Sequence, residues 1–347
     1  MKVTMRDIAK QANVSLATVS RALSGNGYVK DETMVLILDA CEALNYKQQY
    51  NQLKAAKNRT NLIGVMTADL GNEFNIHVID GLTALADQNG YEVVIYDAQE
   101  KHEREERALN VFSRLPLRGL ILTPVMDPGP DYYEFLGRLE QLKIPVVLVD
   151  RDLKYSHFDA VFLDNIKGAS EAVEAFIKCG HKKIATISGV ESSLTGRDRL
   201  AGYKKIMKIH GIPLREEYMV CGEFTGKGAY EAMHKLMDYA DPPTAVFVAN
   251  SVMMAGALKA IREREYNIPE DIAVISFDDI SDAKYNTKCS VVAQPMTEMG
   301  EKAMEILLDR LRSPYRTKND SIRIVLSPRL ILRGSEQLVT KKQLAHT

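Results

Sequence analysis

Apolar positions in the first 45 residues recur with the period of a helix, and no run there has the alternation of a strand. Thr4 and Asp7 have the spacing of a capping box and begin a first helix. A tight break at Asn13 is followed by Ser15, a residue suited to the N-cap of a second short helix. The pattern therefore predicts two short helices joined by a tight turn.

A third helix is predicted from about Asp31 to Asn45. Its apolar stripe consists of Val35, Leu38, Cys41 and Leu44. Residues 46–61 come next, and they are polar, basic and too poor in core-forming side chains to anchor a domain by themselves. We interpret residues 1–45 as one domain and residues 46–61 as a linker.

The rest of the chain, residues 62–347, alternates short apolar runs with helical stretches. The runs are LIGVM, YEVVIY, GLILT, PVVLVD, AVFLD, KIATIS, TAVFVA and AVISFD. Strands separated by helices indicate βαβ units, and continuous Val/Ile/Leu runs indicate parallel strands covered on both faces. These units exceed the usual size of one sheet, so we expect an α/β fold with two doubly wound lobes. The expected N-lobe is about 62–160 plus 292–325, and the expected C-lobe is about 161–291 plus 326–340.

Composition narrows the class of protein. No apolar run approaches the ~18 residues of a membrane span, and the opening MKVTMRDIAK lacks the apolar region of a signal peptide. We therefore expect a cytoplasmic protein with no membrane partner. The four cysteines are far apart and have no C-x-x-C spacing, which predicts buried thiols rather than a metal site or a disulfide framework. The charge run at residues 100–107 is typical of a solvated helix face.

Charge is distributed unevenly along the chain. Residues 1–60 contain nine Lys and Arg against five Asp and Glu, a net charge of +4. The remainder contains 36 Lys and Arg against 41 Asp and Glu, a net charge of −5. A basic head on a mildly acidic body favours double-stranded DNA as a partner, contacted at one end only.

The second short helix carries the candidate DNA chemistry. Leu16 and Ala17 project from its first turn, where base edges would lie, and suit contact with thymine methyl groups. Arg21, one turn further on, can reach guanine or a phosphate, and short hydroxyls in the same segment suit phosphate oxygens. The candidate DNA-contacting residues of this domain are Thr4, Ser15, Leu16, Ala17, Thr18, Ser20, Arg21 and Tyr28.

Polar residues directly after apolar runs are the candidate ligand contacts, because open α/β sheets bind ligands at the carboxyl ends of their strands. Arg199, in the segment after KIATISG, adds a forked donor to these acceptors, which is the combination that vicinal hydroxyls require. A sugar-like effector is therefore predicted, with helix capping or lobe bridging as the alternative role of these side chains. Phe74 either stacks on the sugar or packs in the core. The set comprises Asp69, Phe74, Asp150, Arg199, Asn250 and Asp278.

The string TMRDIAKQANVSLATVSRALSG, residues 4–25, strongly resembles the N-terminal signature of the lactose-repressor/galactose-repressor (LacI/GalR) family, and the resemblance extends through the whole chain. The later matching pieces are LIGV (62–65), GHKK (180–183), RLAGY (199–203), VAN (248–250), SFDD (276–279) and QPxxxMG (294–300). The resemblance implies a helix-turn-helix headpiece, a periplasmic-binding-protein-like core with its ligand between the lobes, and a homodimer on a pseudo-palindromic operator. It also implies that Arg199, Asn250 and Asp278 contact the effector and that Asp69 and Asp150 lie at the cleft.

The chain departs from the family pattern in its linker and in its cleft. The family's hinge helix inserts leucines into the minor groove; here the wedge position falls on Ala55, with Leu53 two residues earlier, and both are candidate DNA contacts. A small side chain unstacks a base step poorly, so we expect weaker operator bending or the use of Leu53. Ser251 replaces the usual Asp and Asn75 the usual Phe, so the ligand cannot be copied from a relative.

Three functions are compatible with these observations. The one we favour is a repressor controlled by a sugar, sugar acid or phosphosugar. The alternatives are a regulator with a degenerate cleft that answers to a protein partner, such as a phosphocarrier, and a sugar-processing enzyme fused to a DNA-binding head. The chain has no nucleophile elbow, zinc-binding His pair or complete phosphate loop, so we expect no catalytic residue, no metal and no cofactor.

Overall fold

A computed structural model describes residues 4–24, 29–44, 61–125, 132–279, 289–312 and 321–338. Three candidate DNA contacts, Tyr28, Leu53 and Ala55, lie outside these ranges. The chain divides into two compact units, which we describe separately: a small amino-terminal unit and a larger one that contains both sheets. Within the described ranges no helix combines the length and the apolar character needed to cross a bilayer.

The amino-terminal unit contains helices α1 (Met5–Gln11), α2 (Leu16–Ser24) and α3 (Asp31–Ala43). At the start of α1 the backbone N–H and the hydroxyl of Thr4 both donate to the Asp7 carboxylate, at 2.8 and 2.7 Å, as the capping-box spacing predicts. The left-handed turn between α1 and α2 lies at Asn13, where φ is 53°. Asn tolerates this conformation better than most residues do.

The core of this unit shows that the predicted stripe of α3 was wrong in part. Val35 is 38% exposed, whereas Ile37, Ala40 and Cys41 are buried against Ile8 and residues of α2. Positions repeated every three residues rotate by about 60° per step around an α-helix, so such a stripe drifts away from the core. The buried set follows the i, i+3, i+4 spacing instead.

The larger unit contains two six-stranded sheets. The first is made of β1 (Leu62–Thr67), β2 (Glu92–Asp97), β3 (Leu117–Leu122), β4 (Val146–Val149), β5 (Asp159–Leu163) and β11 (Arg323–Leu326). The second is made of β6 (Ile184–Ser188), β7 (Met219–Cys221), β8 (Ala245–Val248), β9 (Ala273–Phe277), β10 (Ser290–Ala293) and β12 (Arg329–Ile331). The spatial order is β11–β5–β4–β3–β1–β2 in the first sheet and β12–β10–β9–β8–β6–β7 in the second.

The helices of this unit cover the two sheets. The lobe of the first sheet contains the helices α4 (Glu73–Gln88), α5 (His102–Phe112), α6 (Tyr132–Gln141) and α11 (Met296–Arg312). The lobe of the second sheet contains α7 (Asn165–Lys178), α8 (Leu194–Ile209), α9 (Gly226–Met237) and α10 (Ser251–Glu263). The central strands β3 and β4, β6 and β8, and β8 and β9 pair in parallel, and the strands β4, β6, β8 and β9 are buried along their whole length. The predicted α/β class with two parallel-sheet lobes is therefore confirmed.

The chain crosses between the two lobes three times. The crossings follow Leu163, Ala293 and Leu326, because β5 and β11 pair in the first sheet, β10 and β12 pair in the second, and α11 packs on α4. The sequence placed the first crossing near Ala160.

Helices α4 and α11 lie unusually close together. A methyl group added at Gly81 would be 2.1 Å from the carbonyl oxygen of Thr297, and one added at Gly300 would be 2.0 Å from that of Val78. Both distances are far below van der Waals contact, so only glycine allows this approach. The pair of helices carries much of the packing of the first lobe.

Two expectations about polar residues and thiols were wrong in part. Glu105, in the charge run interpreted as a solvated face, is 1% exposed and accepts a hydrogen bond from the N–H of Val125 at 3.2 Å. Burial raises the pKa of this carboxyl to about 7. Among the cysteines, Cys41 and Cys289 are buried but Cys221 is exposed at the end of an edge strand.

Candidate DNA interface and effector site

Helix α2 presents one continuous exposed face. Val19 and Ala22 bury its other side, while Leu16 is 42% exposed and Ala17, Ser20 and Arg21 are exposed with it. An exposed leucine at the first turn of a short helix, followed by an arginine, is suited to base contacts in a major groove.

Two of the candidate hydroxyls also build the start of α2. The Ser15 hydroxyl accepts the N–H of Thr18 at 3.1 Å, and the two hydroxyls are 2.7 Å apart. Ser15 therefore acts as the N-cap that the sequence predicted, and this pair fixes the first turn of the helix. Only one of the two O–H groups is used between them, so the other can donate to a phosphate oxygen.

In the larger unit, Asp150 and Asp278 hold equivalent positions in the two sheets. Asp150 follows β4 with φ of 66°, and Asp278 follows β9 with φ of 68°. The backbone N–H of Asp150 donates to the Val161 carbonyl on β5 at 2.9 Å, and that of Asp278 to the Val292 carbonyl on β10 at 3.0 Å. Left-handed backbone at a residue other than glycine is uncommon and collects at functional sites. Both side chains are buried.

Arg199 on α8 is held firmly between strand ends. Its Nε donates to Oδ1 of Asn165 at 2.8 Å, and its Nη1 donates to the Ala249 carbonyl at 2.6 Å. The guanidinium lies 3.7 Å from the ring centroid of Phe277, which is a stacking distance. The side chain is 4% exposed, and burial lowers the pKa of this guanidinium while Asp278 and Asp150 oppose the effect.

Charged groups from both lobes interact electrostatically in this region. Burial raises the pKa of the Asp278 carboxyl to about 6, against the opposing effect of Arg199 and of a hydrogen bond from Gln294. Burial likewise raises the pKa of Asp150, which Arg151 and Arg199 partly offset. Arg199 makes no ion pair with either carboxylate in the described part of the chain. It acts on both of them at longer range.

The two carboxylates differ in their hydrogen bonds. Gln294, directly after β10, donates from Nε2 to Oδ1 of Asp278 at 2.6 Å. Oδ1 of Asp150 is buried and has no hydrogen-bond partner among the described residues. Its neighbour Arg151 forms a two-pronged ion pair with Glu100 at 2.8 and 3.0 Å, and its Nε is 3.7 Å from Oδ2 of Asp150.

The other candidate effector residues have local structural partners. Asn250 accepts the N–H of Met253 at 2.8 Å and so caps α10. Asp69 accepts the N–H of Gly71 at 2.8 Å in its own loop. Phe74 is 7% exposed and packs in the hydrophobic core of the first lobe, which accounts for its ring by packing alone.

Sequence reasoning missed Asn165, Phe277 and Gln294. Asn165 and Gln294 come just after β5 and β10, so the rule that found Asp150 would also have found them. The described ranges contain no group of His, Cys, Asp and Glu arranged to hold a metal ion.

Comparisons with known proteins agree with this architecture. The family model "Bacterial regulatory proteins, lacI family" matches residues 4–49, and the model of a periplasmic binding protein-like domain matches residues 173–336. The probable HTH-type transcriptional repressor ExuR of Bacillus subtilis (strain 168) is 34% identical over 329 residues, which cover 92% of this chain and 95% of that protein.

Two solved structures are similar over nearly the full length. The transcriptional regulator CelR in complex with cellobiose aligns with a TM-score of 0.71 at 26% identity, covering 96% of this chain and 99% of that one. The lac repressor dimer bound to operator and the anti-inducer ONPF aligns with a TM-score of 0.70 at 25% identity, covering 97% and 100%.

Proposed function

The chain belongs to the lacI family of bacterial regulatory proteins and is a DNA-binding transcriptional repressor; from that premise we propose that a small hydroxylated molecule, bound between its two lobes, controls its affinity for operator DNA. The protein acts in the cytoplasm, as a homodimer on double-stranded operator DNA. The similar lac repressor structure is a dimer on its operator, and the similar CelR structure is a complex with a sugar.

The observation that carries the proposal is the buried set around Arg199. Asp150 belongs to the lobe of the first sheet and Asp278 to the lobe of the second. Both carboxylates interact electrostatically with the guanidinium of Arg199 and raise its pKa. A ligand that bonds to this set contacts both lobes and therefore favours one arrangement of them. Its effect on operator affinity can be no larger than its preference for that arrangement, whether it weakens or strengthens operator binding.

On the DNA side, the exposed face of α2 enters the major groove. Leu16 and Ala17 contact base edges, and Arg21 contacts a guanine or a phosphate. Two headpieces in a homodimer read two half-sites one helical turn or a multiple apart. Leu53 and Ala55 are the linker residues proposed to reach the minor groove.

The rival mode of control is a protein partner acting on a chain with a degenerate cleft. The strand-end set is evidence against a degenerate cleft, because it keeps a guanidinium fork and two carboxylates, one of them with an unpaired oxygen, and all three side chains are buried. Groups of this kind cost free energy in a fold unless something pairs with them. ExuR and the lac repressor are named as repressors and CelR as a transcriptional regulator, and the chain is not an enzyme.

The test begins with selection of an operator from a random duplex library by the full-length protein. We expect one preferred, roughly two-fold symmetric sequence, and a small molecule that both raises Tm and changes operator Kd. The Asp278→Asn variant keeps an oxygen to accept from Gln294, so it should bind the operator normally but lose most of the response. Asp87→Asn, an exposed change on α4, is the matched control.

Two outcomes contradict the proposal. If the protein bound every duplex with the same affinity, the proposal of sequence-specific operator binding would be wrong. A normal ligand response in Asp278→Asn would show that the effector does not use this cleft.

A further inference from the structure

We propose that the cleft selects an uncharged polyhydroxyl ligand and rejects the carboxylate and phosphate forms of the same sugar, with Asp150 as the residue that sets this preference. The inference rests on the proposed function and adds the chemical class of the effector. Four observations support it, taken in turn.

The first is the unpaired oxygen of Asp150. Its counterpart Asp278 receives the amide of Gln294, but the residues after β5 have other partners. Asp164 caps α7 by accepting the N–H of Lys167 at 2.9 Å, and the amide of Asn165 is shared between Arg199 and the Leu163 carbonyl. Asp150 is only 7% exposed, and its Oδ1 has no hydrogen-bond partner among the described residues. This oxygen therefore requires a donor from outside the described chain.

The second observation is the polarity of the other unpaired atoms near the strand ends. Oε1 of Gln294 and Oδ1 of Asn75 are buried oxygens without a hydrogen-bond partner in the described residues. The amide nitrogen of each side chain fixes which way its oxygen points. The Gln294 nitrogen donates to Asp278, and the Asn75 nitrogen donates to the Asp69 carbonyl at 2.7 Å. Like Asp150, these oxygens need a donor, whereas the buried Nε of Arg151, also without a hydrogen-bond partner among the described residues, needs an acceptor. The set therefore fits a ligand whose groups both donate and accept.

The third observation is the remaining capacity of Arg199. A guanidinium has five N–H groups, and in Arg199 only Nε and Nη1 donate within the described structure. The free N–H groups suit ligand oxygens. A hydroxyl group both accepts and donates, so neighbouring hydroxyls can bond to the fork and to the carboxylates at once.

The fourth observation is the balance of charge. Asp150 and Asp278 are both buried, and together with Glu100 they set three carboxylates against two arginines, Arg151 and Arg199. Asp198, half-buried beside Arg199, does not change this balance, because its other neighbour Arg197 offsets its charge. An anionic ligand would bring one more negative charge into this low-dielectric space, where like charges repel strongly and desolvation is not recovered. A neutral ligand avoids that cost.

The experiment uses matched sugars with the full-length protein and its selected operator. The probes are glucose, glucuronate and glucose 6-phosphate; galactose and galacturonate; cellobiose; and ribose with ribose 5-phosphate. Each is titrated while Tm and operator Kd are measured. We expect at least one neutral sugar to change both, and its carboxylate or phosphate counterpart to bind at least 10-fold more weakly.

Asp150→Asn then tests the residue. The amide keeps an acceptor of the same shape but removes one negative charge, so the ratio of anion Kd to neutral-sugar Kd should fall by 10-fold or more. Asp87→Asn, which changes an exposed carboxylate on α4, should leave that ratio unchanged.

Each other outcome overturns the inference. Tighter binding of an anionic sugar than of its neutral form would overturn the charge preference while leaving effector control intact. An unchanged ratio in Asp150→Asn would remove this residue as the determinant. No response to any probe, with operator binding intact, would reject the proposed small-molecule control itself and the inference with it.

Discussion

Arg21 is the residue whose replacement separates base reading from general attraction to DNA. It lies on the exposed face of α2, one turn beyond Leu16. We expect Arg21→Ala to weaken operator binding by about 1–3 kcal/mol and to relax the preference at one base position, because a bidentate contact to guanine is lost. Competition binding against operator variants measures both effects.

Arg6→Ala, an exposed change of the same charge on α1, is the control. It should weaken all duplexes about equally, since one phosphate contact at most is lost. If Arg21→Ala behaved in the same uniform way, the arginine would contact phosphate rather than a base.

Arg199 shows how one side chain can carry both structure and recognition. Replacing it with Ala would leave the Asn165 oxygen and the Ala249 carbonyl without their donor, and each buried orphan costs about 1–3 kcal/mol. The sequence could not reveal these two bonds, because their partners lie 34 and 50 residues away. Asp278→Asn is therefore the cleaner probe of ligand response.

The sequence predicts the candidate cleft residues only up to a point. A polar residue after an apolar run indicates a position at the edge of a sheet, and this rule placed Asp150 and Asp278 correctly at strand ends. It does not say which acceptors remain unpaired, since that depends on partners such as Gln294 that come from another strand. The burial of Glu105 was hidden for the same reason, because the Val125 N–H it binds belongs to another element.

At the scale of elements, the approach of α4 to α11 gives a sharp test. Gly81→Ala should destabilise the larger unit by about 1–3 kcal/mol, because the added methyl group meets the Thr297 carbonyl at 2.1 Å and the helices must move apart. Urea denaturation measures the change.

Gly137→Ala provides the matched control on α6. A methyl group there has no heavy atom within 4 Å, so the change should be neutral or stabilise by roughly 0.5–1 kcal/mol through helix propensity. Equal effects of the two substitutions would contradict the proposed close packing.

The long buried strands were predictable, and most of the edge strands were not. All eight apolar runs in the sequence form strands. Seven lie inside the sheets, where a parallel strand covered on both faces needs an unbroken apolar stretch, and the eighth, β2, is an edge strand. The strands β7, β11 and β12 are short and half-exposed at sheet edges, so their residues lack that pattern. β10 is buried over three of its four residues but is too short to stand out.

At the scale of the whole molecule, Glu105 should shape the pH profile of stability. Its pKa in the fold is about 7, against an ordinary value of 4.5. The folded state therefore holds this proton more tightly than the unfolded chain does. The resulting stabilisation is complete below pH 4.5 and is lost as the pH rises through 7.

Glu105→Gln removes this titration while keeping an oxygen that can accept from Val125. We expect similar free energies of unfolding for parent and variant at pH 5, and a variant more stable by up to about 3 kcal/mol at pH 8. Urea denaturation at both pH values measures the difference. Glu103 is exposed on the same helix, so the free energy of unfolding of Glu103→Gln should change with pH as that of the parent does. The same pH dependence in Glu105→Gln would contradict the burial argument.

The three crossings between the lobes also have a consequence for biosynthesis. Each sheet receives its last strand from residues 323–331. Until these residues have been synthesised, one hydrogen-bonding edge of β5 and one of β10 stay unpaired. The core of the headpiece lies within residues 8–44 and emerges roughly 15–60 s earlier at ordinary rates of translation. A nascent chain that stopped prematurely would thus carry the module that grips DNA without the part that answers to a metabolite.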